Sequence, residues 1–123
     1  MSVTGHDGAF PRSARLTRSG DFRAVFAGAE RHADRYVTIL VGAGRGTRPR
    51  LGLAISKRVA PRAVDRNRIK RLIRESFRRN QHRLPVIDAV VMVRPIARHT
   101  ESATLSAALD RLWQRISRQC EPS

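Results

Sequence analysis

Residues 65–80 restrict the fold of this chain more than any other segment. Ile69, Leu72, Ile73 and Phe77 recur at the three- and four-residue spacing of one helical face. At about 100° per residue, Asn67, Arg71, Arg74 and Arg78 fall opposite that stripe, flanked by Lys70 on one side and Arg68 on the other. Like charges one turn apart cost an isolated helix roughly 0.2–0.5 kcal/mol per pair. The helix therefore needs a core under its apolar side, and packing there turns the cations outward as a fixed row. Pro61 or Asp65 can open it, and the pattern runs to about Asn80.

The charge is concentrated around this helix. Residues 57–83 hold eleven Lys or Arg and only two acids, Asp65 and Glu75. The whole chain of 123 residues has a formal net charge of +15 and a pI near 11.9. A polyanionic partner follows, either nucleic acid or an anionic membrane surface. Only Lys57 and Lys70 are lysines; every other cation is Arg, whose planar fork matches phosphate and stacks on bases. An arginine-biased genome would give the same ratio. A solvated basic face is the simplest alternative, but almost no acid is present to pair with the row. A membrane-surface helix fits less well, because the apolar side is needed for a core and has no Trp.

Strands and further helices follow from local pattern. SGDFRAVFAG reads as a helix with Ser19 as its cap, Asp21 in its first turn and Gly28 at its end. Phe22, Val25 and Phe26 share one face of it, the spacing of a core stripe. YVTILV at 36–41 and RLGLAIS at 50–56 read as strands joined by the turn-rich 42–49. In the second strand Leu51, Leu53 and Ile55 point one way, and Gly52, Ala54 and Ser56 the other. One face is greasy and the other almost bare. Lys57, Arg58 and Arg62 lead from that bare face into the basic helix, so a nucleic-acid backbone could approach there closely. Tyr36 and Thr38 share the bare floor if Val37, Ile39 and Val41 face the core. Tyr36 there can either stack on a base or pack at the strand edge. A strand near 88–94 is closed by Pro95. A last helix follows, capped by Thr100 or Ser102, with Leu105, Leu109, Leu112 and Ile116 as its stripe. The resulting order, α-β-β-α-β-α, is that of an α+β sandwich whose topology stays open.

The chemistry of cutting is missing from the residue inventory. The acids are scattered rather than clustered as a two-metal nuclease requires. Asp65 reads as a helix cap and Glu75 as an intrahelical partner of Arg71 or Arg79. His6, His32, His82 and His99 lack metal-ligand spacing and read as surface residues. No Walker-type phosphate loop or nucleophile motif occurs. Cys120 is the single cysteine, which excludes an internal disulfide and fits a reducing cytoplasm. No apolar run reaches the roughly 20 residues of a bilayer span, and no signal peptide is expected in MSVTGHDGAFPR. The chain reads as a nucleic-acid binder without a complete active site of its own.

The stretch RLGLAISKRVAPRAVDRNRIKRLIRESFR closely resembles the bacterial ribonuclease P protein subunit. The match centres on Arg66-Asn67-Arg68, the family's RNR signature, followed by Ile69-Lys70-Arg71 and Arg74-Glu75. RLTRSGDFRAVF is similar to the family's N-terminal helix, and DAVVMVRP and LDRLWQR to its last strand and helix. The connection Ala60-Pro61-Arg62 departs from members with a shorter, glycine-containing one.

The resemblance implies a single α+β domain of order α-β-β-(β)-α-β-α. Its mixed sheet would have a left-handed βαβ crossover, against the usual right-handed rule. Residues 1–14 hold Gly, Pro and Ser without periodicity and read as a flexible arm, which leaves 15–119 as the RNA-binding domain and 120–123 as a short tail. The resemblance implies a subunit of the endoribonuclease that removes the 5′ leader of precursor tRNA in the cytoplasm, with no membrane and no obligate protein partner. The RNA subunit would catalyse with Mg²⁺ held mainly by RNA, and this chain would supply no catalytic residue and no metal site. Arg66, Asn67, Arg68, Lys70, Arg71 and Arg74 would face the RNA subunit. Phe22, Phe26, Tyr36, Ala54, Ser56 and Lys57 would line the leader cleft, with Arg58, Arg62 and Arg78 as a supporting patch.

Self-repulsion at +15 opposes compaction, and bound anions relieve it. Millimolar sulfate or phosphate is expected to raise the melting temperature of the free chain by several degrees. An unchanged melting temperature would show that the charge does not limit stability.

Overall fold

The computed structural model describes residues 29–44 and 46–120; for Cys120 it describes the backbone alone. The expected helix at 19–28, with Phe22 and Phe26, the arm at 1–14 and all of the expected tail 120–123 but Cys120 lie outside the described residues, and Cys120 ends the last helix instead. Four strands, β1 (Glu30–Ala33), β2 (Val37–Ala43), β3 (Arg50–Ala54) and β4 (Ile87–Val93), form one sheet in the order β1-β2-β4-β3. β1 and β4 run antiparallel to β2, whereas β3 and β4 are parallel. The basic helix α1 (Ala63–Asn80) makes the crossover from β3 to β4, and α2 (Ser102–Cys120) follows β4.

Over the described residues the order β-β-β-α-β-α is the expected one, and only the segment that supplies the additional strand was not foreseen. That strand precedes β2 as ERHA, whose polar sequence carries no strand signal of its own. It forms because β2 offers a free antiparallel edge, with Glu30 opposite Val41 and Ala33 opposite Thr38. β2 also runs two residues further than expected, since Gly42 and Ala43 stay paired with Asp88 and Ile87 of β4. β3 stops at Ala54, opposite Met92, and the chain turns away at Ser56.

Both helices cover one face of the sheet. Val37, Ile39 and Val41 of β2, Leu51 of β3 and Ala89 and Val91 of β4 are buried there with Ile69, Ile73 and Phe77 of α1. Leu105, Leu109, Leu112 and Ile116 of α2 close the same core. Each full burial of such a side chain contributes about 1.5–3 kcal/mol. Trp113, whose place the periodicity left unassigned, is fully buried and meets Phe77 edge-on at 5.4 Å. His32 is buried on β1 rather than at the surface, 3.6 Å from Glu30, because the edge strand lies under α2.

Polar contacts fix the two helices against each other. The Asp110 carboxylate on α2 accepts from Ser76, Arg79 and Asn80 of α1. Arg79 thus turns away from Glu75, its expected partner, because a carboxylate on the neighbouring helix is within reach. The start of α1 also departs from expectation. Arg62 is the N-cap residue and makes no side-chain cap, while Asp65 sits inside the first turn, where its charge favours the helix dipole. Thr100 is no cap for α2 either; its hydroxyl donates to the Ile96 carbonyl and closes the short turn at Pro95–His99.

The other sheet face is closed at one end by a buried ion pair. Arg50 donates from Nε and Nη2 to the two carboxylate oxygens of Asp88, at 2.9 and 2.7 Å. Asp88 is fully buried. Removing the arginine strands that carboxylate in a low-dielectric site, a change that typically costs about 3–5 kcal/mol. Arg50→Met is expected to lower unfolding stability by that order in urea titration. The double change Arg50→Met with Asp88→Leu should recover most of the loss. Equal stability of Arg50→Met and the parent chain would rule out the pair as a structural clamp.

Candidate nucleic-acid interface

The site begins with the outer side of α1. Ile69, Ile73 and Phe77 are fully buried, so the helix cannot rotate, and Asn67, Arg71, Arg74 and Arg78 are held outward and exposed. Lys70 is half-buried beside them. Periodicity puts the first four opposite the stripe with Lys70 on their flank, and the geometry agrees because the apolar stripe alone sets the rotation.

Arg66 and Arg68 do more than periodicity suggests. Arg66 bends back, and its Nη1 donates to the carbonyls of Ala60 and Pro61, both at 2.8 Å. It pins the turn that delivers the chain into α1. Arg68 donates to Ser102 Oγ at 3.1 Å and, over longer distances, to the carbonyls of Ala97 and Arg98. It joins α1 to the start of α2. No sequence signal separates these two from Arg71, since their acceptors are backbone groups distant in space or in a loop.

The bare sheet face is a real second surface, but its composition differs from that expected. Alternation puts Ala54, Leu40, Val90 and Met92 together there, with Val90 fully buried and the others packed around it. Leu40 lies opposite Val90, and Met92 opposite both Thr38 and Ala54. The floor thus has Leu and Met at its centre as well as the small Gly52 and Ala54. The strand pattern could have supplied Leu40, as the residue two beyond Thr38.

Tyr36 is not on that floor. It precedes β2 in a bend, its ring packs against the main core, and it lines a groove beside α2. Its backbone is set by Asp34, whose carboxylate accepts from the amides of Tyr36 and Val37. Alternation does not apply before the strand begins, and this displaces Tyr36 from the face of Thr38.

The residues after β3 lead toward α1 as expected. Ser56 Oγ accepts from the Val59 amide, and the Ala60 amide bonds to the Ser56 carbonyl. This turn leaves Lys57 and Arg58 exposed, and Arg62 is exposed at the helix entrance. Among the described residues no three His, Cys, Asp or Glu converge on a point that could hold a metal ion. No described helix is long and apolar enough to cross a membrane.

Comparison with known proteins gives a consistent match. The family model for ribonuclease P matches residues 10–117. The chain is 48% identical over 114 residues to the ribonuclease P protein component of Thioalkalivibrio sulfidiphilus, covering 93% of this chain and 95% of that one. Its identity to the ribonuclease P protein component of Methylococcus capsulatus is 47% over 121 residues, covering 98% and 94%. Among solved structures, a Staphylococcus aureus RNase P protein mutant with defective mRNA degradation activity superposes with a TM-score of 0.79. Its identity is 25%, with 85% of this chain and 88% of that chain covered.

The two roles of the arginines separate in stability measurements. Arg66→Ala removes a charged donor from two carbonyls and is expected to cost about 1–3 kcal/mol in urea unfolding. Arg71→Ala, on the exposed row, should stay within about 0.5 kcal/mol of the parent. Equal effects would contradict the assignment of Arg66 as a tether.

Proposed function

This chain belongs to the ribonuclease P protein family and is a protein subunit of that tRNA 5′-processing endoribonuclease; we propose that it docks on the RNA subunit through α1 and guides the unpaired 5′ leader across its second sheet face. The observation that carries the docking role is the outward row Asn67, Arg71, Arg74 and Arg78, fixed by a fully buried stripe. A row held by packing meets phosphates without first losing backbone freedom at the helix. Guanidinium groups there replace counterions on the RNA, which makes the affinity fall with salt.

The leader path in this reading starts at the Lys57 turn and runs over Ala54, Met92 and Leu40, which pack around the buried Val90. Unpaired bases can lie on an apolar floor while cations at the rim hold the backbone. Catalysis belongs to the RNA subunit, and Mg²⁺ supplies Lewis-acid stabilisation of the phosphoryl oxygens there. The described residues of this chain do not fit that ion, since no set of carboxylates converges. Its own residues bind and orient.

Adding the chain to a bacterial ribonuclease P RNA at low Mg²⁺ is expected to restore leader removal from precursor tRNA. No restoration would overturn the reading in favour of a general nucleic-acid binder. Arg71→Gln with Arg78→Gln should weaken binding to the RNA subunit and reduce the salt slope by about 0.7–0.9 per lost phosphate contact. Lys57→Gln should lower precursor affinity several-fold with little change for mature tRNA, whereas Tyr36→Ala should change both alike. The opposite pattern would move the leader path to the Tyr36 side.

A further inference from the structure

A second arginine cluster lies along α2, far from the α1 row in sequence. Arg111, Arg115 and Arg118 recur at four- and three-residue spacing and are exposed on one side of the helix. With Arg35 and Tyr36 from the bend before β2 they line an open groove of about 690 Å³. Gln114 and Arg118 also line an adjoining groove of about 390 Å³ that reaches His82 and Arg83. The two form one trough on the α2 side of the molecule. α2 lies over the β1 edge of the sheet and α1 over the β3 edge, so the trough and the α1 row sit at opposite edges.

The trough is short of compensating charge. Among the described residues, none of Arg35, Arg111, Arg115 and Arg118 makes an ion pair with an acid. Asp34 is the one acid in the lining, and its carboxylate is engaged by the amides of Tyr36 and Val37 at 2.8 and 3.0 Å. Arg115 reaches only the Ala33 carbonyl, at 3.5 Å. The Tyr36 ring has the Arg35 guanidinium over it at 5.9 Å, so it does not offer a bare stacking platform, and the one other ring of the lining is His82 at the far end. A surface rich in forks and poor in rings suits a sugar–phosphate backbone whose bases are already paired.

We propose that this trough is a second docking surface for the RNA subunit, gripping the phosphate backbone of a structured segment. Resting on the proposed α1 docking, the protein then bridges two separate parts of one RNA. Along the α2 axis the three arginines span about 10 Å, so they address consecutive phosphates rather than a single anion.

The test measures affinity of the full chain for a bacterial ribonuclease P RNA across a salt series. The parent is compared with Arg111→Gln/Arg115→Gln/Arg118→Gln and with Arg71→Gln/Arg78→Gln. Circular dichroism and urea unfolding confirm that each variant folds, and Gln keeps good helix propensity. The α2 variant is expected to lose about ten- to hundred-fold affinity and to reduce the salt slope by about 2–3. A Lys version of the same triple change should retain most of the slope. Parent-like affinity and slope in the α2 variant, with a loss in the α1 variant, would overturn this proposal and leave the α1 docking standing. A loss in neither would overturn both. A loss seen only when tRNA binds the reconstituted enzyme would assign the trough to tRNA and also overturn the proposal.

Discussion

Burial of one side of α1 is the interaction on which the rest of the molecule depends. Arg66/Lys70, Lys70/Arg74, Arg74/Arg78, Arg68/Arg71 and Arg71/Arg74 are five like-charged pairs one turn apart, which together oppose the helix by about 1–2.5 kcal/mol. Full burial of Ile69, Ile73 and Phe77 contributes about 1.5–3 kcal/mol each, which exceeds that repulsion. The helix exists because the sheet and α2 cover its stripe. The same contact decides where every cation of the row points. Cationic row and core are thus two sides of one packing event, and a change under the stripe would disturb both.

Arginine serves three distinct ends in this chain. At Arg50 it neutralises a buried carboxylate that would otherwise be intolerable inside the sheet. At Arg66, Arg68 and Arg79 it ties loops and helices together through carbonyls, a hydroxyl and Asp110. At Arg71 and Arg78, and along the α2 trough, it stays in solvent. The planar fork makes all three possible, since five donors in fixed geometry can serve several acceptors at once. A high arginine count is therefore not by itself a measure of binding surface.

The two sheet faces divide the work. One is covered by both helices and supplies the core. The other carries Leu40, Val90, Met92 and Ala54, a patch of modest size bordered by the Lys57 turn. In the proposed docking, a chain with this division faces a folded RNA with its basic helix and leaves the rim of the other face to a strand. The parallel pairing of β3 with β4 makes this possible, because α1 has to cross over between them and so lies beside the turn that follows β3.

Local pattern was enough to determine the two helices, three of the strands and the outward direction of Asn67, Arg71, Arg74 and Arg78. Those properties depend on periodicity within one element, and periodicity survives in the bare sequence. β1 was not legible, since ERHA becomes a strand only through β2. The tethering of Arg66 and Arg68 was hidden too, because their acceptors are main-chain oxygens that every residue carries. Alternation would put Tyr36 on the face of Thr38, but it fails one residue outside the strand. The α2 trough required the fold: Arg35, Arg83 and Arg118 are distant in sequence, and only the packing of α2 over the β1 edge gathers them. What one element dictates could be read from the residues; what two elements share was decided by the tertiary structure, because the free energy of each contact depends on a neighbour that local sequence does not name.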